Sequence, residues 1–234
     1  ETDIDTNGYY LGSDGERYAK RKVTVSYYYT CEEGSDERIQ SSQFSDGTTF
    51  KYGEYNYFKV EPLKWRILTT KYCKATLFCE NIIDEFMWDS RKELVYYKDS
   101  QIYNWLNSTF LDVAFDSTIQ EVIQTTEVDN STASGCNVDI TTANTFDKVF
   151  LLSKKETENN TLWKLNSRSD RRKIVSDYAR VTHATVGYWW TRTPNRFSTD
   201  YNADMILNWH PNGAGNEAIT PNYMGVAPAV TIML

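Results

Sequence analysis

The prediction of the fold starts from residues 188–234, which read YWWTRTPNRFSTDYNADMILNWHPNGAGNEAITPNYMGVAPAVTIML. Its two ends, 188–192 and 225–232, are apolar and predict packed scaffold strands. The middle, 195–224, has six Asn, one Arg and no Lys, with aromatic rings at no regular spacing. So long a segment without a helix or strand period is usually functional or disordered, and its strand-like flanks argue against disorder. We therefore predict a loop held between two strands, with rings and amides suited to ligand contact. An ordinary surface loop is the alternative.

Length, charge and hydropathy restrict the class of protein. A chain of 234 residues with 40% hydrophobic residues can build a real core, and we treat 1–234 as a single domain. The net charge of −7 and the pI near 5.0 argue against a nucleic-acid binder, which needs a basic surface. No apolar run approaches the roughly 18 residues that span a bilayer, so no direct membrane insertion is expected. The first residues, ETDIDTNGYY, do not form a signal peptide, so any export signal is expected to have been removed or to lie outside this chain.

Cysteine and histidine are too sparse to predict a metal centre or a cofactor. The four cysteines are Cys31, Cys73, Cys79 and Cys136, and none forms a CxxC or Cys/His pattern with metal spacing. The two histidines, His183 and His210, have no second ligand residue nearby in the sequence. Cys73 and Cys79 flank a strand-like run, and we favour buried free thiols over a disulfide for this pair.

The N-terminal part of the chain has β-like patterns. Two short strands are expected on either side of the turn GSDGE, residues 12–16. The stretch YNYFKVEPLKWRILTT, residues 55–70, predicts a pair of core strands, and ATLFCENII another. One face of the first pair is expected to carry Phe58, Val60, Trp65 and Ile67.

Helical signals follow in the middle of the chain. Ser100 and Asp116 are expected N-caps for helices over 101–115 and 117–124. KVFLLS is a buried strand, and Ser153 with Glu156 matches a capping box. A third helix is predicted over 169–182, with Ile174, Tyr178 and Val181 directed inward. The predicted fold class is α+β: short, mostly antiparallel strands at both ends, two to three helices and long loops.

No motif in the chain identifies a catalytic centre. The sequence has no GxSxG, SxxK, P-loop or GxGxxG pattern, and no EF-hand loop. Carboxylates are numerous but do not fall into a recognisable acid/base pair, so solvated surface explains them. Glycosylation sequons occur at Asn107, Asn130 and Asn159, and chance accounts for such matches in a chain rich in Thr and Asn.

Eight ordered blocks resemble a bacterial family catalogued as a domain of unknown function, whose members occur in surface and secreted proteins. The blocks are NGYYLGSDGERYAK, YFKVEPLKWRIL, LFCENI, IYNWLNSTFLDVAF, IQTTEVDNS, DKVFLLS, YWWTRTP and GVAPAV, and they span nearly the whole chain. The family more often has Leu and Ser at the two Thr positions of WWTRTP. The resemblance implies an extracellular or cell-surface location on a bacterium.

That family is similar to the C-type-lectin-like fold in its formylglycine-generating-enzyme, or sulfatase-modifying, form. The same fold serves variable proteins of diversity-generating retroelements, in which a scaffold displays a C-terminal segment rewritten at adenines. Asn is encoded by AAC, and Tyr, His and Asp are single changes at its first base. The scaffold would then comprise Ala203, Ile206, Gly213, Gly225, Val226, Pro228 and Ala229. The display positions would be Tyr201, Asn202, Asp204, Leu207, Asn208, Trp209, His210, Asn212, Asn216, Glu217, Asn222 and Tyr223.

The enzyme and calcium-binding branches of that fold fit this chain less well. Formylglycine-generating enzymes use a cysteine pair in the C-terminal part, whereas Cys136 is the only cysteine here after residue 79. The Glu-Pro-Asn, Gln-Pro-Asp and Trp-Asn-Asp calcium motifs of classical lectins are missing from the sequence. We therefore expect a non-catalytic, adhesin-like module that binds a protein or glycan ligand through 195–224. The alternatives are an enzyme derived from the sulfatase-modifying fold and a structural module of a larger surface protein.

Overall fold

A computed structural model describes most of the chain. The described residues are 3–31, 38–91, 95–131, 143–158, 165, 168–171, 173–183, 187–197, 200–206, 214–218 and 223–234. Within these ranges, Cys31, Arg38 and residues 168–169, 194–197, 200–206 and 214–218 are described by their backbone alone.

The described residues form strands at both ends of the chain and short helices in the middle. The strands of the N-terminal half are β1 Tyr10–Leu11, β2 Arg17–Lys22, β3 Tyr28–Cys31, β4 Arg38–Ser41, β5 Tyr55–Lys59, β6 Trp65–Lys71, β7 Lys74–Cys79, β8 Asn81–Ile82 and β9 Asp84–Met87. The later strands are β10 Ile123–Gln124, β11 Thr126–Val128, β12 Thr145–Asp147, β13 Val149–Phe150, β14 Ile174–Val175, β15 Trp189–Phe197, β16 Asp200–Ile206, β17 Ala214–Ala218, β18 Tyr223–Val226 and β19 Ala229–Met233. The helices are α1 Gln101–Trp105, α2 Leu111–Ala114, α3 Ser117–Val122, α4 Lys154–Glu158, α5 Arg168–Arg171 and α6 Asp177–His183, with a 3-10 turn at Tyr97–Asp99 and a π turn at Leu106–Phe110.

Two five-stranded sheets organise the core. One has the order β10-β19-β7-β6 with β13 also paired to β19, and the other has the order β17-β16-β15-β18-β9. The N-terminal strands form a separate sheet in the order β1-β2-β5. Strands pair antiparallel except β14 with β8 and β15 with β18, so the predicted α+β class with mostly antiparallel strands is confirmed.

The first half of β15 lies at the centre of the core. Successive strand residues point to opposite faces, and Trp189 and Trp190 accordingly enter two different hydrophobic clusters. The Trp190 indole N–H donates to the Phe86 carbonyl at 2.9 Å, so this fully buried ring keeps its hydrogen bond. The apolar strand predicted at 188–192 is therefore present and buried on both faces.

Arg192 ties β15 to the loop before α4 and to that helix. Its guanidinium is buried and donates to both carboxylate oxygens of Glu156, at 2.5 and 2.9 Å, and to the Leu151 carbonyl at 2.6 Å. Glu156 also accepts a bond from the Ser153 N–H, and the Ser153 hydroxyl accepts one from the Glu156 N–H. The predicted capping box is confirmed, and its carboxylate also neutralises the buried cation.

Gly225 allows β18 to lie directly against the chain at Tyr188. The Gly225 N–H donates to the Tyr188 carbonyl at 2.8 Å. A Cβ added to Gly225 would lie 2.5 Å from that carbonyl oxygen and 2.7 Å from side-chain carbons of Ile82, which is closer than real Cβ contacts. Val226 and Ala229 beside it are fully buried, so these three positions have the packing expected of a scaffold.

The two predicted N-caps are confirmed. The side chain of Ser100 accepts from the Tyr103 N–H, and that of Asp116 accepts from the Ile119 N–H. Within the π turn, the half-buried amide of Asn107 bonds to both the N–H and the carbonyl of Val149. A glycan on Asn107 would break these bonds. Asn130 is buried, and Asn159 lies outside the described residues.

Three local predictions were wrong. Residues 169–182 are not one helix, because β14 pairs in parallel with β8 between α5 and α6 and leaves Ile174 70% exposed. The predicted pair of core strands, β5 and β6, belongs to two different sheets, so their side chains share no face, and Ile67 is exposed. Cys73 and Cys79 are free thiols as predicted, but only Cys79 is buried, since Cys73 lies in the exposed β6–β7 turn.

The prediction that 195–224 is an irregular loop was also wrong in part. β15 continues to Phe197, and β16 and β17 add to it as antiparallel strands. The backbone groups of β16 thus pair with β15 on one side and β17 on the other, and this pairing does not require apolar side chains. The register shifts between Trp190 and Pro194, where the buried half of β15 gives way to its outer half.

Replacing Arg192 with Leu should destabilise the fold strongly, because the Leu151 carbonyl would lose a buried donor and the partly buried carboxylate of Glu156 would lose its cation. We expect the free energy of unfolding to fall by about 3–5 kcal/mol. Urea denaturation followed by tryptophan fluorescence measures the loss.

The matched control is Arg17→Leu, since Arg17 and Asp5 form an ion pair at 3.7 Å near the surface. An exposed pair of this kind contributes less than about 1 kcal/mol. Equal losses for the two variants would contradict the role assigned to Arg192.

Candidate functional site

Five of the twelve predicted display positions lie on two neighbouring strands. Tyr201, Asn202 and Asp204 are on β16, and Asn216 and Glu217 are on β17. Asp204 is the register partner of Asn216, and Ala203 is the partner of Glu217. The structure therefore brings these positions together on strands that add to the buried strand β15.

The remaining display positions are divided between β18 and the part of the chain that is not described. Tyr223 is the first residue of β18 and pairs in register with Met87 of β9. Outside the described residues lie Leu207, Asn208, Trp209, His210, Asn212 and Asn222, together with the predicted scaffold position Gly213.

Tyr223 stacks on His183, the last residue of α6. The ring centroids are 3.5 Å apart and the planes differ by 12°, so the two rings lie face to face. Burial lowers the pKa of His183 to about 4, and the positive charge of Arg21 acts in the same direction. The imidazole is therefore neutral at pH 7, and its stacking partner Tyr223 is half-buried rather than a free display side chain.

A charged pair underlies this stack and joins three elements. Arg21 of β2 donates to Asp84 of β9 at 2.6 Å and to the Tyr178 carbonyl of α6 at 3.2 Å. The same guanidinium lies 4.1 Å from the centre of the Tyr178 ring. Burial raises the pKa of Asp84, and Arg21 opposes that rise. The arrangement fixes α6, and with it His183, beside β18.

Helix α4 supports the other side of the segment. It contacts both β15 and β16, and the Lys154 N–H donates to the Thr193 hydroxyl at 2.9 Å. Thr193 is the last residue of β15 whose side chain is described, and it is fully buried. β16 therefore pairs with a strand whose first half is held in place by Arg192 and Thr193, and β17 pairs with β16.

A second polar cluster lies inside the fold, at Asp147 on β12. Burial raises the pKa of this carboxyl to about 6, against hydrogen bonds from Thr145 and Tyr103 that lower it. The Thr145 hydroxyl is 2.9 Å from the carboxylate and also accepts a bond from the Asn130 amide at 3.1 Å. The neighbouring carboxylate and burial together raise the pKa of Tyr103 to about 12, with burial the larger cause.

The described residues contain neither a cluster of metal-ligand side chains nor a membrane-spanning helix. No group of three His, Cys, Asp or Glu side chains within them could hold a metal ion. In the same ranges no helix is long and apolar enough to cross a membrane. The sheet β17-β16-β15-β18-β9 has a buried strand, β15, near its middle and polar residues on its neighbouring outer strands, β16 and β17.

Sequence reasoning missed two features of this region. His183 was noted only as an isolated histidine, and no local pattern connects it to Tyr223, because the contact joins two distant segments. Asp147 was one of many carboxylates, although its position in the apolar run DKVFLLS was a signal of burial.

Two substitutions should change the pH dependence of stability in opposite directions. The folded pKa of Asp147 is about 6 and the model-peptide value is 3.8, so the folded state keeps a proton that the unfolded state loses. The free energy of unfolding therefore falls as pH rises from about 4 to about 6. The substitution Asp147→Asn should remove that fall. Relative to the unchanged protein, the variant should gain about 1–3 kcal/mol of stability between pH 4 and pH 7.

The pKa of His183 is lowered from 6.5 to about 4 in the folded state, so the unfolded state takes up a proton first as pH falls. The stability of the fold therefore decreases as pH falls from about 6.5 to about 4. His183→Gln should remove that loss. Urea unfolding at intervals between pH 4 and 7 measures both slopes, and slopes that change in the same direction would contradict these assignments.

Comparison with known proteins identifies the family of the chain. Residues 68–234 match the family described as Domain of unknown function (DUF6273). Neither the curated proteins nor the solved structures contain a significant match to this chain. The matched range includes residues 195–224 and the whole of the sheet β17-β16-β15-β18-β9, and it includes the other five-stranded sheet except residues 65–67 of β6. The chain therefore belongs to the DUF6273 family.

Proposed function

We propose that this domain is a non-catalytic ligand-binding module that uses residues 195–224 to contact a protein or glycan. One observation carries the proposal: five of the predicted display positions lie together on β16 and β17, which add to the buried strand β15. Proteins place their binding residues on segments that a rigid scaffold positions.

The contrast between the inner and outer strands supports this division of roles. The first half of β15 is held by tightly packed rings and by the buried Arg192 ion pair, so substitutions there are costly. β16 and β17 join the sheet through backbone pairing, which depends little on which side chain is present. A surface of this kind can change its contact residues while the fold is retained.

The finer proposal is a C-type-lectin-like fold, diversified as in the variable proteins of diversity-generating retroelements and exposed on or secreted from a bacterium. Its support is the eight sequence blocks, the six Asn of the segment and the packing of the predicted scaffold positions. Gly225, Val226 and Ala229 are buried, and Gly225 has no room for a side chain.

The raised pKa of Asp147 is the observation that favours the enzyme alternative, because perturbed carboxyls are common at active sites. Asp147 is only 1% exposed, its Oδ2 accepts from Thr145 and a hydrogen bond from Tyr103 lowers its pKa, while its Oδ1 is buried without a hydrogen-bond partner among the described residues. A structural link between β12 and α1 explains these bonds without a substrate. We therefore place binding ahead of catalysis.

Changing the register pair Asp204 and Asn216 to Ala should abolish or strongly weaken ligand capture and leave the fold intact. Both residues lie on the outer strands, so the free energy of unfolding should change by less than about 1 kcal/mol. Capture is measured on arrays of glycans and of extracellular proteins, and stability by urea unfolding.

The matched control replaces Asn104 and Glu121, two exposed polar residues of α1 and α3, with Ala. This variant should bind as the unchanged protein does. Tyr223 is excluded from the test because its stacking on His183 would mix a loss of packing with a loss of contact. Binding that survives the Asp204/Asn216 change, or that is lost to the same extent in the control, would overturn the proposal.

The neighbouring DNA tests diversification separately. We expect a reverse transcriptase gene and a near-copy of the coding sequence for 195–224 that differs only at adenines. A genomic sequence without either would refute diversification by a retroelement, whereas the binding proposal depends on the array experiment alone.

A further inference from the structure

The N-terminal sheet β1-β2-β5 has one covered face and one open face. Burial alternates along β5, and the inner side chain Phe58 packs edge-on against Phe44 and Tyr178. Tyr55 and Tyr57 point the other way and are 57% and 50% exposed. The open face carries tyrosines and lysines: Tyr10, Tyr18, Lys20, Lys22, Tyr55, Tyr57 and Lys59. We call these seven residues the tyrosine platform.

Lys20 lies at the middle of the tyrosine platform. Its ammonium nitrogen is 4.9 Å from the centre of the Tyr55 ring and 5.4 Å from the centres of the Tyr10 and Tyr57 rings. Tyr10 and Tyr57 meet edge to face, with centroids 5.3 Å apart. Lys22 is 5.9 Å from the Tyr55 ring. Within the described residues, neither lysine has a carboxylate at ion-pair distance, whereas Lys59 is paired with Glu16 at 3.0 Å.

An open depression of about 220 Å³ adjoins this cluster, lined by Tyr10, Leu11, Gly12, Tyr18 and Tyr57. The Tyr18 hydroxyl donates to Asp14 at 2.7 Å, which fixes the ring at the rim. A Cβ on Gly12 would lie 2.6 Å from the Tyr18 ring and 2.5 Å from the Asp14 carboxylate, so a larger residue there would have to displace these two side chains. The rim is therefore held by bonds within the sheet.

We propose that the tyrosine platform binds an oligosaccharide that carries a single carboxylate sugar, at a site separate from residues 195–224. Pyranose rings present C–H groups to aromatic faces, and Tyr55 and Tyr57 offer such faces. The ammonium groups of Lys20 and Lys22 complement one carboxylate through charge-assisted hydrogen bonds.

The charge of the whole chain restricts the ligand further. The protein has a net charge of −7, so a polyanion such as a nucleic acid is repelled over most of the surface. Lys20 and Lys22, which have no carboxylate partner in the part of the chain that the structure describes, form a local positive site that one acidic group can satisfy. A short ligand with one charge fits this pattern better than a charged polymer.

Isothermal titration of the purified chain tests the proposal with three saccharides. The probes are 3′-sialyllactose, a glucuronic-acid-terminated disaccharide and lactose, which lacks the carboxylate. We expect one or both acidic probes to bind at least about tenfold more tightly than lactose, as loss of a charged hydrogen bond implies. That preference should shrink as salt is raised from 0.05 to 0.5 M, because the charges lie at the surface.

Variants separate the ring contacts from the charge contact. Tyr57→Ala should weaken binding of the acidic probe about tenfold, Lys20→Gln should reduce it to the level of lactose, and Lys20→Arg should retain the preference. The matched control is Tyr72→Ala, because Tyr72 is 83% exposed and has Lys71 4.8 Å from its ring, but lies in the β6–β7 turn. It should bind as the unchanged protein does.

Several results would overturn this proposal. These are equal binding of lactose and the acidic probes, no binding of any probe at 10 mM (about the weakest affinity the titration detects), and tighter binding of an eight-residue oligothymidylate. Dimerisation that Tyr57→Ala abolishes would show instead that a second copy covers the tyrosine platform. None of these outcomes bears on the display segment, because the Asp204/Asn216 variant leaves the tyrosine platform unchanged.

Discussion

The C-terminal part of the molecule depends on the burial of the first half of β15. Trp189 and Trp190 fill two clusters on opposite faces, and Arg192 is held by Glu156 and backbone carbonyls. A buried guanidinium without these partners would be very costly, so the ion pair and the capping box of α4 must form together. β18 lies directly against the chain at Tyr188, because Gly225 has no side chain to keep the two segments apart. The outer strands β16 and β17 add to a structure that is already fixed.

The N-terminal sheet is connected to this assembly through a second ion pair. Arg21 joins β2 to Asp84 on β9 and to α6. In the sheet β17-β16-β15-β18-β9, β9 is the neighbour of β18. The family match covers 68–234, so the N-terminal sheet lies outside the matched range. The two proposed binding surfaces also differ in composition, because one is an Asn-rich sheet edge and the other is a face of lysines and tyrosines.

The parts of the fold that local interactions decide were predictable from sequence. Ser100, Asp116 and the Ser153/Glu156 box signal helix starts within a few residues, and the structure has all three. β16 and β17 were not predictable, since Asn, Gly and Asp have low strand propensity and the pairing with β15 supplies the stability. The break at Ile174 arises from pairing with β8, which is far away in sequence. Of the site, the scaffold at Gly225 was anticipated, whereas the stack of Tyr223 on His183 required the fold.

A scan of all single substitutions over residues 188–234, with folding measured by protease resistance, tests most directly whether scaffold and display roles are separate. We expect nearly every change at Trp189, Trp190, Arg192 and Gly225 to be destabilising, because these residues are buried or have no room for a larger side chain. Backbone pairing holds β16 and β17, so we expect most side chains except proline to be tolerated at Tyr201, Asn202, Asp204, Asn216 and Glu217. Equal intolerance along the whole segment would contradict the proposed division, since the outer strands would then be core rather than display.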